Sequence, residues 1–180
     1  MGTKDNRQNF SKIILGKTSH QKESPCYYRE TLEGLHIIAM DSHTPGSSTG
    51  SFSEEQLYWL EEKLREHRDE PSIIAFHEPV FFFGALGIFD KVDAARFRRI
   101  VSEGNILAVL NGHIHFHLTT MVDGVRYVVA GSPVFENSWY ENDIISYDSS
   151  SFNLLTYHEN RLFVRPVSFS EGTRLIERNR

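Results

Sequence analysis

Three short apolar runs punctuate the first two-thirds of the chain: "GLHIIAMDS" (34–42), "PSIIAFHEPV" (71–80) and "ILAVL" (106–110). Each is short and nearly continuous in apolar residues, which predicts a buried strand. The first ends at Asp41 and the second is stopped by Pro79. Between the runs the period changes. Leu57, Leu60 and Leu64 recur three and four apart, which sets them on one face of a helix. Ser53 with Gln56 three residues on is a capping-box signature, and Glu54 and Glu55 suit the positive end of the helix dipole. That helix is expected to run to about His67. A second helix, beginning near Asp90 or Asp93, carries Phe97, Ile100 and Val101 inward and ends at Gly104-Asn105.

After residue 110 the segments "HIHFHLTTMV", "VRYVVAGS", "DIISYDSSSFNLLTYH" and "RLFVRPVSF" read as consecutive strands joined by tight turns. Asp123-Gly124 is a hairpin signal between the first two. Residues 43–52 form a loop dense in Pro, Gly and Ser, and residues 1–25 are polar and irregular. The aromatic stretch "FFFGALGIFD" (81–90) is either a core plug and pocket wall or a contact with another chain. No repeat, low-complexity tract or linker interrupts the pattern, so 1–180 is read as a single domain. The fold class is α/β (α+β): two helices covering a sheet, followed by an antiparallel C-terminal part.

Composition narrows the setting. With 180 residues, 39% hydrophobic and 24% charged, the chain can build one ordinary core. A net charge of −5 argues against a nucleic-acid surface, and Arg96, Arg98 and Arg99 read as a solvated helix face. One cysteine, Cys26, excludes an intramolecular disulfide and fits a reducing cytoplasm. No apolar run approaches the roughly 20 residues that span a bilayer. The first residues lack the apolar core of a signal peptide, and Asn6 stands where a myristoylation signal needs Ser or Thr. The expectation is a cytoplasmic chain with no membrane partner.

Histidine supplies the candidate chemistry. His113, His115 and His117 alternate directly after Asn111-Gly112. In an extended strand, side chains at i and i+2 face the same way, so His113 and His115 can offer two imidazoles to one point. Gly112 permits close backbone approach to an ion. His77 ends a separate buried strand. Ligands collect outside the carboxyl ends of strands in open α/β sheets, which brings His77 and the His113 pair to one rim. Neutral imidazole is the commonest protein metal ligand. A single His-x-His is a weak signal, because an edge strand can carry solvated histidines. His77 and the glycine before His113 tip the balance toward metal. His117 lies about 7 Å further along an extended strand and reads as a flank. His43 reads as a surface residue. His20, His36, His67 and His158 read as structural or exposed, without metal-like neighbours.

In chain order, "IIAMDS", "TPGSSTGSFSEEQLYWLEEKL", "PSIIAFHEPV", "VLNGHIHFH" and "VVAGSP" resemble the calcineurin-like metallophosphoesterase superfamily. The likeness is to its cyclic-nucleotide phosphodiesterase-like branch and covers residues 35 to 135. "NGHIH" matches the family's Gly-His-x-His motif, and "FHEP" matches its isolated metal-binding histidine. The resemblance implies a β-sandwich with flanking helices and a hydrolase of phosphodiesters or nucleotides. It also implies two divalent ions such as Mn, Fe or Zn, with His77 and His113 on one and His115 on the other. In such sites the ions lie about 3.5–4 Å apart.

The family's first motifs, an Asp-x-His, a Gly-Asp and a Gly-Asn-His-Asp/Glu, are expected upstream. "GTKDNRQNF" is similar to the end of the third, with Gly2 and Asp5 kept. Thr3 stands where the metal-binding Asn is expected, and Lys4 stands where the His that protonates the leaving group is expected. The resemblance therefore implies an N-terminally incomplete domain that lacks the bridging carboxylate and is impaired in activity. A lysine ammonium near the site would oppose cation binding. The alternative is a catalytically silent fragment or oligomerisation module, since a sheet stripped of strands recruits others. The blandest reading is a β-rich protein with coincidental histidines. A homo-oligomer is expected.

Overall fold

The three apolar runs become the middle of a six-stranded sheet in the computed structural model, which describes residues 7, 10–14, 16, 26–81, 88–140, 143–169 and 175–179. The sheet is built from β1 (Tyr28–Leu32), β2 (Leu35–Ala39), β3 (Ser72–Ala75), β4 (Ile106–Asn111), β5 (Leu118–Val122) and β6 (Val125–Val129), in the order β1-β2-β3-β4-β6-β5. β2, β3, β4 and β6 run parallel, and β1 and β5 close the edges antiparallel. The expected mixed α/β class is the observed one.

Two crossover helices cover one face: α1 (Glu54–Glu66) joins β2 to β3, and α2 (Lys91–Ser102) joins β3 to β4. The predicted stripe of Leu57, Leu60 and Leu64 is buried with Phe97, Ile100 and Val101 against Ile38, Ile74 and Val109. Ser53 caps α1, its hydroxyl accepting from Gln56 N at 3.2 Å. The side chain of Gln56 does not complete the box. It is buried, and its amide brackets the Asp41 backbone: Oε1 accepts from Asp41 N at 2.7 Å and Nε2 donates to Asp41 O at 3.0 Å. A buried backbone pair past the end of β2 outcompetes a solvent-facing cap.

The C-terminal part is antiparallel, as expected, but divided. β7 (Glu136–Tyr140), β8 (Asp143–Tyr147) and β11 (Leu175–Asn179) form one sheet, ordered β11-β8-β7. β9 (Ser151–His158) and β10 (Arg161–Ser168) form a separate hairpin. The stretch 143–158, expected as one strand, breaks at Asp148–Ser150, where Ser151 N donates to Ser132 O at 2.9 Å. The β9–β10 hairpin lays Leu162 on the second face of the large sheet, against Leu35, Ile73, Ala108 and Val128.

Among the described residues, three two-residue turns join paired strands. Asp123-Gly124 was legible; Glu33-Gly34 and Glu159-Asn160 make the same turn, with positive φ at all six central residues. Residues 82–87 of the aromatic stretch, His20 and Lys4 lie outside the described residues. Phe81 and Phe89, on either side of 82–87, are buried.

Candidate metal centre

The parallel strands end at one rim, and the candidate chemistry lies there. β3 delivers His77 and Glu78, and β4 delivers Asn111, Gly112 and His113. Gly112 N donates to His77 O at 3.0 Å, which ties the two strand exits together. The His77 and His113 rings meet edge to face, with centroids 5.1 Å apart. Donor atoms of His77, Glu78 and His113 lie within 4.8 Å of one another. A pocket of about 320 Å³ opens beside them, lined in part by His77, Asn111, Gly112, Met40, Cys26 and Phe10.

His113 and His115 reach their places by a different route from the one expected. Residues 113–117 are not a strand; β5 starts only at Leu118. His113 and His115 carry the turn themselves, with φ of 72° and 58°, in the left-handed region that side chains other than glycine's rarely occupy. Gly112 is absent from the positive-φ positions, and a methyl there would meet His77 Nδ1 at an ordinary 3.5 Å. The strain is held by the surroundings. Ile114 is buried, Asn137 N donates to His115 O at 2.8 Å, and Asn137 Nδ2 donates to Ile114 O at 3.2 Å. Left-handed residues fixed in this way cluster at functional sites.

The rim brings His77 and His113 together and leaves His115 outside that three-donor group. The His115 ring packs on Phe135 at 4.4 Å, with Nδ1 buried and without a hydrogen-bond partner. His117 is drawn elsewhere: its Nε2 lies 2.7 Å from Ser151 Oγ and 3.6 Å from Glu136 Oε1. His43 corrects the sequence reading, because it is buried, not a surface residue. Its backbone N donates to Asp41 Oδ1 at 3.1 Å, and its Nδ1 is buried without a partner.

Several residues at the rim were not singled out from sequence. Glu78 is almost wholly buried, and the Ser42 hydroxyl donates to its Oε2. Burial raises its pKa, with the Ser42 bond opposing the shift. Asp41 is equally deep, but its carboxylate is committed: Oδ2 accepts from Arg7 Nε at 2.7 Å and from Cys26 N at 3.0 Å. Asn111 donates through Nδ2 to Phe76 O at 3.1 Å, while its Oδ1 is buried and unpartnered. The available signal was position alone, since each follows directly on an apolar strand.

Burial lowers the pKa of His113, and the neighbouring His115 lowers it further; burial also lowers that of His115. Both shifts favour the neutral imidazole, the form that binds metal. Two imidazoles and a carboxylate, with orphaned buried donors on Asn111 and His115 close by in sequence, fit a divalent cation.

The fold defines the class. It is shared with a dimetal phosphatase from Danio rerio, which matches with a TM-score of 0.56 and 16% identity, over 79% of this chain and 64% of that one. The chain thus shares the mixed α/β fold of a dimetal phosphatase, and its sequence relatives are named as cyclic nucleotide phosphodiesterases. A "Probable cyclic nucleotide phosphodiesterase" of Rhodococcus erythropolis is 30% identical over 137 residues, 75% of this chain and 45% of the relative. A cAMP/cGMP dual specificity phosphodiesterase of Mycobacterium tuberculosis is 26% identical over 137 residues, 75% of this chain and 42% of the relative. The chain spans less than half the length of these two curated relatives. No family model matches it. Among the described residues, no helix is long and apolar enough to cross a membrane.

Proposed function

We propose that residues 1–180 form a single metal-dependent phosphoesterase domain that acts on phosphodiesters of the nucleotide class. The observation that carries this reading is the convergence of His77, Glu78 and His113 at the carboxyl ends of adjacent parallel strands. In this reading His77 and His113 hold a divalent ion (Mn, Fe or Zn) with Glu78 beside them. His115, with its buried unpartnered Nδ1, is the donor toward a second ion. The chemistry such an ion supplies is Lewis-acid polarisation of a phosphoryl oxygen. The chain's own part is to hold the imidazoles neutral and fixed, and to offer the adjacent pocket to the ester.

Impaired turnover is part of the proposal. It is supported by the commitment of Asp41 to Arg7 and of Glu78 to Ser42, which leaves these two carboxylates poorly placed to bridge ions. Lys4 is the residue the proposal sets where the proton donor of related sites is expected. If the cation binds without turnover, the same geometry serves a silent module. Exposed Phe152, Leu154, Leu155 and Phe163 on the hairpin favour a homo-oligomer in either case. The single cysteine supports a cytoplasmic setting.

The test is metal content by elemental analysis of tag-free protein, paired with hydrolysis of a chromogenic phosphodiester in added Mn. Bound metal with slow turnover, both lost in His113→Ala, is the expected result. Protein that is folded, metal-free and inert at saturating Mn overturns it.

A further inference from the structure

A second cluster of donors lies at the other end of the same strands. His36 is on β2, on the face that α1 covers; His67 is the C-cap of α1; Glu70 lies in the turn that leads into β3. From sequence these histidines had no metal-like neighbours. The crossover brings them together: their rings pack at 4.4 Å, and Glu70 lies between them, Oε2 at 2.8 Å from His36 Nε2 and Oε1 at 2.9 Å from His67 Nδ1. Donor atoms of all three lie within 4.8 Å of one another. The backbone holds the frame, with His36 N donating to Pro71 O at 2.9 Å and Glu70 N to His67 O at 3.0 Å.

Thr31 makes this more than a charged surface cluster. It sits opposite His36 in the β1–β2 ladder, and its hydroxyl lies 2.9 Å from His36 Nδ1. A hydroxyl can donate or accept. It can give its proton to Nδ1 while Nε2–H binds Glu70. It can equally accept from Nδ1–H when the Nε2 lone pair is used elsewhere. A hydrogen bond on the far nitrogen that orients the ring is the usual support of a metal-bound histidine.

We propose that His36, His67 and Glu70 form a zinc site, positioned by Thr31 and separate from the rim centre, with its fourth position open to water. Two imidazoles and one carboxylate suit zinc among the divalent cations. Ligand atoms around a tetrahedral zinc lie about 3.4 Å apart, given bond lengths near 2.1 Å. The two Glu70–imidazole contacts, at 2.8 and 2.9 Å, must therefore open to admit the ion, and Glu70 and His67, both partly exposed, are the groups free to move. His36 is the buried anchor. Zinc there would staple the end of α1 to β2 and to the entry of β3.

The test subtracts the rim centre first. In full-length His113→Ala protein, zinc affinity is measured against a chromophoric chelator, and Tm is read with and without zinc chloride. About one zinc per chain and a zinc-dependent rise in Tm are expected. Adding His67→Ala or Glu70→Gln, at partly exposed positions, should weaken affinity at least tenfold and abolish the rise. Adding Thr31→Val should weaken it about tenfold without touching a ligand. Far-UV circular dichroism confirms that each variant is folded. If His113→Ala is not folded, wild type against His67→Ala gives the same difference. Because only this difference is read, the result does not depend on whether the rim centre binds metal. Zinc affinity unchanged by both ligand substitutions overturns the proposal, as does folded protein that binds no zinc at this end.

Discussion

The two faces of the large sheet are packed very differently. On the helix side Phe52, Phe76, Phe89 and Phe97 interlock, with ring centroids 4.9 Å apart for Phe52–Phe89 and 5.0 Å for Phe76–Phe97. Phe97 and Leu60 are completely buried there. On the hairpin side the packing is thin. Leu162 reaches the sheet, while Phe163 on the same strand stays 55% exposed. The difference bears on function because Phe76 directly precedes His77. The strand end that carries the candidate ligand is clamped by the dense face, not by the thin one.

Substitutions should rank by face if this contrast is right. Phe97→Ala, which opens the aromatic cluster, should cost about 3–5 kcal/mol in denaturant unfolding, and metal retention at the rim should fall with it. Gln56→Leu strips the Asp41 backbone of both partners; each buried group left unpaired costs about 1–3 kcal/mol, and the loss should appear in both stability and rim metal content. Leu162→Ala, on the thin face, should cost about 2 kcal/mol, the low end for a buried leucine, with rim metal content unchanged. A larger loss there, or metal lost with it, would break the comparison. Phe163→Ser should move stability by less than about 0.5 kcal/mol, yet lower self-association in sedimentation.

Gly131 marks a further close contact, at the boundary between the large sheet and the C-terminal part. A methyl there would collide with Ser151 and Glu136 and sit 2.9 Å from His117 Nε2. Gly131→Ala should therefore separate the His117 cluster from Ser151, readable as a chemical-shift change at His117 with little change at His113.

Much of the helix-covered face was legible. Buried strands at 34–42, 71–80 and 106–110, the stripe on α1 and the Ser53 cap all follow local periods, and local periods survive folding when both faces of a strand are covered. The edge strand β1 was not legible, because it is polar and half solvated, and neither was the break at 148–150. Glu33-Gly34 lacks the usual Asn-Gly or Asp-Gly signal, so its hairpin was not read; the turn at Glu159-Asn160 lacks it too and was legible only from the strands on either side. Of the site, His77 and His113 were readable as strand-end histidines that converge.

The chain's local patterning determined the buried strands at 34–42, 71–80 and 106–110 and where α1 begins, and it set His77 and His113 at strand ends. The tertiary structure decided the rest. Residues 113–117 carry an alternating pattern that reads as extended, but packing of Ile114 and the bonds from Asn137 hold His113 and His115 in left-handed turns, a choice no local period encodes. Glu78 acquires its raised pKa through burial, with Gly50 packed close to its side chain, and Glu70 meets His36 only through a crossover that closes 34 residues of chain. Such meetings depend on long-range closure, which the packed sheet provides and a window of neighbouring residues does not.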